Sequence, residues 1–387
     1  MPGSYRKRGQ KYFLEVAITD YSGKVNRFSK TCDFSINTDA KAEKELAKFY
    51  AACSEGKITR QSGITVTEMC DIVMEKLAEP TLKRNTVRGY KLCQKRIDNT
   101  IGKKKIAKLK PIHIQEWVND LQSYNRGLSP KTIKNTYSFL RMCFETMVEW
   151  GELNYSPCTH IRLPKVEQKE VDALKKDEVA TFLNLLDTLP EEKQDYKVAA
   201  LLALFCGLRK GEILGIDEKM VDLDNLEVKI HKARYMDDDG IYEDSPKSKA
   251  GYRTVLLPMQ VGEEIHRLML YHKKEKMRLG SKWQESPYIL KGCWGTPLYP
   301  NNLWDWLTAF LKENNMRHFS FHTLRHTYTS MLGWMGKDIS EISASLGHSK
   351  KSTTLNTYMH LFQDLEDAKK KTAADLSEQI TKMKSNF

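Results

Sequence analysis

LLALFCGLRKGEILGI, Leu201 to Ile216, passes from an unbroken apolar stretch straight into Arg209, Lys210 and Glu212. The apolar part reads as a helix within a large core. A guanidinium at its end is costly to bury unless a carboxylate or a phosphate-sized anion meets it. Glu212, three residues further on, shares a helical face with Arg209 and can hold it. Taken alone, the two residues are accounted for by a structural Arg–Glu pair.

Two further strings change that balance. FHTLRHTYTS places His322 and Arg325 at i and i+3, again on one helical face, and HSKKSTTLNTYMH places His348 and Tyr358 around a Ser/Thr-rich segment suited to turns and capping. A single histidine in such a setting is usually a hydrogen-bonded core residue. An arginine, a lysine, His-x-x-Arg, a histidine and a tyrosine in that order within one domain are a different matter. LLALFCGLRKGEILGI, FHTLRHTYTSML and LGHSKKSTTLNTYMH together resemble the three boxes of the tyrosine recombinases, the phage-integrase family, over about residues 170–370.

The resemblance implies a metal-independent DNA strand-transfer enzyme without a cofactor. Tyr358 is then the nucleophile, and Arg209 and Arg325 cradle the scissile phosphate with His322 and His348 beside them. Glu212 supports Arg209. The family also uses a lysine after the first box as general acid, for which PKSKAGYRTVLL offers Lys247 and Lys249, with Lys247 preferred by its spacing to Arg253. Two departures, Cys206 where threonine is frequent and ten residues from His348 to Tyr358, remove no chemical group.

This chemistry suits these residue types. Attack on a phosphodiester builds negative charge on the non-bridging oxygens, which a planar guanidinium that never deprotonates meets with two parallel hydrogen bonds. A phosphotyrosyl intermediate keeps the energy of the broken bond, so a 5′ hydroxyl can reseal it. A lysine desolvated among cations can lower its pKa and donate a proton.

Outside the boxes, 387 residues with a formal charge of +12 suggest two or three domains. The charge is unevenly spread: residues 1–60 carry +5, 61–165 carry +8 and 166–387 carry −1. A polyanion is therefore gripped mainly by the first 165 residues. Eight scattered cysteines, none paired at metal-ligand spacing, exclude a zinc ribbon and argue against a secreted disulfide scaffold. MPGSYRKRGQ lacks a signal-peptide core and no stretch is long enough for a membrane span, so a soluble cytoplasmic protein is expected, without a membrane partner.

The expected fold is multidomain and mainly α with small β elements (α+β). Residues 1–62 read as a small sheet and helix, with strands at 10–18 and 25–34, a short preceding strand carrying Arg6, Lys7, Arg8 and Lys11, and a helix at 39–56; the resemblance in layout makes this an arm-type DNA-binding domain with those four residues as DNA contacts. Residues 63–165 read as a helical core-binding clamp, with DNA contacts at Lys103, Lys104 and Lys105 and at Lys131 and Lys134 after the Ser129-Pro130 helix start. SPCTHIRLPKVEQKE, 156–170, reads as a linker. Residues 170–387 form the catalytic domain, helix-dominated around one small sheet, with a tail in which Leu376, Ile380 and Met383 recur at helical spacing.

The resemblance implies double-stranded DNA as partner, at core and arm sites, and a tetramer during strand exchange. It also implies an excisionase or DNA-bending accessory protein. The layout resembles integrases of temperate phages and conjugative transposons. A Xer-like chromosome-resolution recombinase, a type IB topoisomerase and a catalytically inactive DNA-binding regulator are the competing readings. The N-terminal module counts against the first of these, and the complete set of polar groups counts against the last.

Overall fold

The computed structural model describes residues 3–19, 25–54, 63–123, 127–153, 155–167, 172–237, 239–245 and 251–347. The chain divides into two units, Met1–Gln168 and Lys169–Phe387.

The first unit contains two separate hydrophobic cores. Strands β1 (Gly3–Arg8), β2 (Lys11–Thr19) and β3 (Val25–Thr31) form an antiparallel meander, and α1 (Asp39–Ser54) follows. Alternation along β2 turns Tyr12, Leu14 and Val16 inward, where they pack with Ala42, Leu46, Phe49 and Cys53 of α1. Phe13 and its partners Arg6 and Thr31 lie on the opposite, open face. The short strand expected before the two longer ones is β1, which ends at Arg8, so that Lys11 belongs to β2 instead.

The second core joins four helices, α2 (Val66–Val73), α3 (Arg84–Asp98), α4 (Pro111–Asp120) and α5 (Pro130–Glu149), around Met69, Val73, Ile97, Ile114, Trp117, Leu140 and Phe144. Thr65 and Glu68 form a reciprocal capping box at the start of α2. The helix that starts at Val66 does not stay regular: a π turn, Met74–Ala78, follows its first two turns. Ser129 caps α5 by accepting a hydrogen bond from the Thr132 amide at 3.2 Å. The stretch expected to be a linker is held down over its first half. The Tyr137 hydroxyl donates to the Cys158 carbonyl at 2.9 Å, the Arg162 amide donates to Gln115 at 2.8 Å, and Ile161 and Leu163 pack on the core. Apolar residues spaced between the prolines give that half a surface to bury.

In the second unit α6 (Lys176–Asp187) precedes α7 (Gln194–Cys206), whose residues from Val198 to Leu204 are buried almost all round. An apolar helix with no polar face belongs at the centre of a domain, and α7 packs against α9 (Met259–Leu279), α10 (Asn302–Glu313) and α11 (Phe321–Trp334). Short α8 (Lys210–Leu214) precedes strands β4 (Val221–Asp222), β5 (Glu227–Ile230), β6 (Ala233–Asp237), β7 (Gly240–Asp244) and β8 (Arg253–Leu256), and α12 (Ile339–Leu346) is the last described element. The sheet expected to be single is two: β4-β5-β8, and a separate β6–β7 hairpin. Of the eight cysteines, seven are buried free thiols and Cys293 is exposed. No described helix is long and apolar enough to cross a membrane.

Helix α7 ends because Gly207 turns left-handed, φ +61°. The apolar run and the arginine box are therefore two helices and a break, where the sequence alone joined them. A Cβ at Gly207 would stand 2.4 Å from the Tyr328 ring, whereas Gly336, at φ +76°, has open space around it. Gly336→Ala should cost about 1 kcal/mol through its backbone conformation alone. Gly207→Ala should cost at least about 1 kcal/mol more, through the added collision. Urea unfolding of the two variants beside the parent chain checks the difference.

Candidate active site

The break after α7 creates the site. Arg209 adopts an extended conformation (φ −75°, ψ 148°) as the residue that caps α8, and Glu212 sits one turn inside it. The carboxylate accepts the Arg209 backbone amide at 3.0 Å and its guanidinium Nη1 at 2.7 Å. A negative side chain in the first turn also suits the positive end of a helix. The expected Arg–Glu pair is present, held by a cap and not by one continuous helical face.

Glu212 is not Arg209's alone. Arg253, the first residue of β8, grips both its oxygens, Nη2 to Oε2 at 3.0 Å and Nη1 to Oε1 at 3.3 Å, and Arg325 Nη1 stands 3.9 Å from Oε2. Burial by itself would raise the Glu212 pKa; hydrogen bonding and charge from Arg253, then charge from Arg209, outweigh it and bring the value to about 2. Although only 5% exposed, Glu212 therefore stays ionised because of its arginine partners. Three guanidiniums around one carboxylate leave a local excess of positive charge.

Arg325 does a second job. It is 3% exposed on α11, and its guanidinium donates to the Gly207 carbonyl and, at 2.8 Å, to the Leu346 carbonyl. Both oxygens belong to helix C-terminal ends, where carbonyls lack intrahelical partners and a cation is favoured. One side chain so joins the end of α7, the end of α12 and, through Glu212, the start of α8. Ser320 and Thr323 cap α11 reciprocally and fix the turn that carries His322. Solvent reaches the His322 ring, which lies edge-on to His326 at 4.4 Å. Partial desolvation, followed by the charges of Arg325 and Arg209, lowers its pKa and favours the neutral imidazole.

Arg209 is the most open of the three arginines, its side chain 39% exposed against 10% for Arg253 and 3% for Arg325. Two tyrosines lie within electrostatic reach, and both have pKa values pushed up, chiefly by burial: Tyr235, next to Glu212 and Arg209, and Tyr328, next to Arg253 and Arg325. That shift is the wrong direction for a nucleophile. Lys247, Lys249, His348 and Tyr358, and the tail residues Leu376, Ile380 and Met383, lie outside the described residues. So the structure brings together Arg209, Glu212, His322 and Arg325. Among the described residues no group of His, Cys, Asp or Glu side chains could hold a metal.

Arg253 is the residue the sequence reading passed over except as a spacing marker. What marks it is its register, visible only once β8 has paired: Arg253 and Val255 are the partly buried positions of β8, and an arginine on that face needs a carboxylate. The segment carrying the two lysines runs from β7 to β8, which belong to different sheets.

The basic residues of the first unit fall into three groups. Arg6 and Arg8 stand over the Phe13 ring, at 5.1 and 5.3 Å from its centroid, and Lys11 over Phe34 at 4.5 Å. Lys7 is on the other side of the sheet, over Tyr12 at 5.7 Å. Lys103, Lys104 and Lys105 are exposed in the connection after α3, and Lys131 and Lys134 are exposed near the start of α5.

The depressed Glu212 pKa carries a sign. The stability it contributes is complete above the ordinary value of 4.5 and is lost as pH falls toward about 2. Glu212→Gln should cost about 3 kcal/mol at neutral pH by leaving buried arginines unpaired. The gap to the parent chain should narrow in urea titrations repeated near pH 3; a gap independent of pH would contradict the assignment.

Two family models match the chain. A model of the phage integrase family matches residues 172–364, and one of the phage integrase N-terminal SAM-like domain matches residues 65–122. A tyrosine recombinase XerC-like protein of Caldanaerobacter subterraneus subsp. tengcongensis is 26% identical over 96% of this chain and 98% of its own. The ICEBs1 integrase of Bacillus subtilis is 26% identical over 64% of this chain and 66% of its own. Among solved structures, the Tn1549 transposon integrase in complex with transposon right end DNA superposes with a TM-score of 0.68, at 21% identity, covering 80% of this chain and 100% of that one. A lambda integrase dimer bound to a core site gives a TM-score of 0.56 at 15% identity, covering 91% of this chain and 93% of that one. The matched segment 172–364 holds every member of the arginine–glutamate cluster, and the chain belongs to the phage integrase family of tyrosine recombinases, enzymes that cut and rejoin DNA.

Proposed function

We propose that this recombinase integrates and excises a mobile element, a conjugative transposon or prophage, using Tyr358 as nucleophile. The single observation that carries the site is the cluster of Arg209, Arg253 and Arg325 around the buried Glu212 carboxylate. Its excess positive charge, with Arg209 open to solvent, suits a phosphodiester whose negative charge grows during attack. The integrase names of the relatives, from ICEBs1 and from Staphylococcus phage L54a, support the mobile-element reading.

In this reaction the Tyr358 phenolic oxygen attacks the scissile phosphorus, and the bond to the 5′ oxygen breaks. Lys247, in preference to Lys249, gives that oxygen its proton, so the products are a 3′-phosphotyrosine and a free 5′ hydroxyl. Arg209 and Arg325 hold the non-bridging oxygens, with the neutral His322 imidazole and the His348 side chain as hydrogen-bonding partners. A 5′ hydroxyl from the partner strand then reverses the step. Pairwise exchange through a four-way junction calls for four protomers on two DNA sites, with the tail beyond Leu365 packing in its own subunit or a neighbour. An excisionase or DNA-bending protein sets direction.

Three segments share the DNA. Residues 1–62 take arm sites through the open face of the small sheet, where Arg6, Arg8 and Lys11 lie among aromatic rings, with Lys7 at the edge. Residues 63–165 grip the core site, with Lys103, Lys104, Lys105, Lys131 and Lys134 on phosphates. Residues 170–387 cut and rejoin it.

Two experiments test this. On a nicked half-site, the parent chain should form a covalent protein–DNA adduct at one strand position. Tyr358→Phe should form none while binding the DNA with little change; an adduct from the variant overturns the nucleophile. Removing residues 1–62 should leave cleavage at core sites intact and weaken binding at arm sites, and equal loss at both refutes the division of labour.

A further inference from the structure

We propose that Arg253 is a positioning residue for DNA cleavage: it fixes the Glu212 carboxylate so that Arg209 is aimed at the phosphate. This rests on the reading of Arg209 as a phosphate-binding group.

A carboxylate has two oxygens and a rotatable stem, and the Arg209 side chain bonds only one of them. Arg209 reaches Oε1 through its side chain and Oε2 through its backbone amide. Arg253 contacts the same two oxygens with two nitrogens of its planar fork, the geometry in which a guanidinium sets the orientation of a carboxylate as well as balancing its charge. The donor is itself constrained. It starts β8, whose pairing of Arg253 with Ile230 anchors it to β5, and its Nη1 also donates to the Gly251 carbonyl at 3.4 Å. Its side chain is 10% exposed, so solvent offers little alternative to Glu212.

The result is a relay from sheet to site: β5 holds β8, β8 holds Arg253, Arg253 holds Glu212, and Glu212 holds Arg209. Removing Arg253 leaves Glu212 buried with a smaller share of the positive charge that keeps it ionised, and frees it to turn. Arg209 then loses its fixed direction while keeping its own charge. The expected defect is in the rate of bond cleavage, since a small misplacement of a group that stabilises a transition state slows the reaction far more than it weakens binding of the whole DNA site.

The test measures two quantities for Arg253→Gln, Arg253→Lys, Glu212→Gln and the double variant Glu212→Gln/Arg253→Gln. One is the single-turnover rate of adduct formation on the nicked half-site with protein in excess. The other is the Kd for the same DNA. Arg253→Gln should cut the rate by about 100-fold, with Kd within about 3-fold of the parent, since the wider DNA contacts are untouched. Arg253→Lys keeps the charge and one hydrogen bond and should recover about a tenth to a third of the parent rate. The double variant should be no slower than Glu212→Gln alone, because both changes break one relay.

An Arg253→Gln or Arg253→Lys protein that cleaves at the parent rate overturns the proposal. So do losses that multiply in the double variant, or a rate defect matched by an equal loss of DNA affinity. If Arg253→Gln fails to fold, judged by its circular dichroism against the parent, the lysine variant and its rate-to-Kd comparison decide alone. A parent chain that forms no adduct removes the site reading itself, which is a different outcome from a parent adduct that the Arg253 variants reproduce.

Discussion

One carboxylate makes this arrangement of charge possible. Guanidiniums brought close together repel one another, and burying them without a counter-ion is costly. Glu212 meets Arg209 and Arg253 directly and stands 3.9 Å from Arg325, so it neutralises part of that repulsion without cancelling the positive field. A second carboxylate would stabilise the folded cluster further and weaken it as an anion-binding site. Having none would leave Arg209 and Arg253 without the partner that joins them.

Everything around Glu212 serves to deliver those side chains from distant parts of the sequence. The left-handed turn at Gly207 ends α7 so that Arg209 emerges at the surface of the core and not along its axis. The Ser320–Thr323 box starts α11 at a defined residue, which sets where Arg325 enters. Arg325 then bonds the carbonyls released at the ends of α7 and α12, so the same cation that suits a phosphate also closes two helix termini. The hydrogen bonds that hold Arg325 therefore stabilise the fold and also fix where its guanidinium lies.

How much of this was legible in the sequence differs by residue. Arg209, Glu212, His322 and Arg325 could be picked out because a charged residue at the end of an apolar run, or at i and i+3, leaves a local trace. The helix expected over 195–215 missed its break, since Gly207 is tolerated within a helical pattern and only its left-handed φ of +61° reveals the turn. Arg253 could not be read as a site residue, because its partner lies 41 positions away and strand register is visible only once β8 has paired with β5. The single expected sheet was really two, because which strands pair depends on where the β6–β7 hairpin folds away. Lys7 and Arg6 differ by one residue and so fall on opposite faces of β1, a distinction that needs the position of α1.

The bond from Arg325 to the Gly207 carbonyl spans 118 positions, and its companion reaches forward to Leu346. During translation the apolar helix and Arg209 leave the ribosome long before either contact can close. A nascent or prematurely terminated polypeptide ending ahead of α11 therefore carries Arg209 and Glu212 without Arg325. The contacts that pin the end of α7 therefore close only after α11 and α12 have both been made.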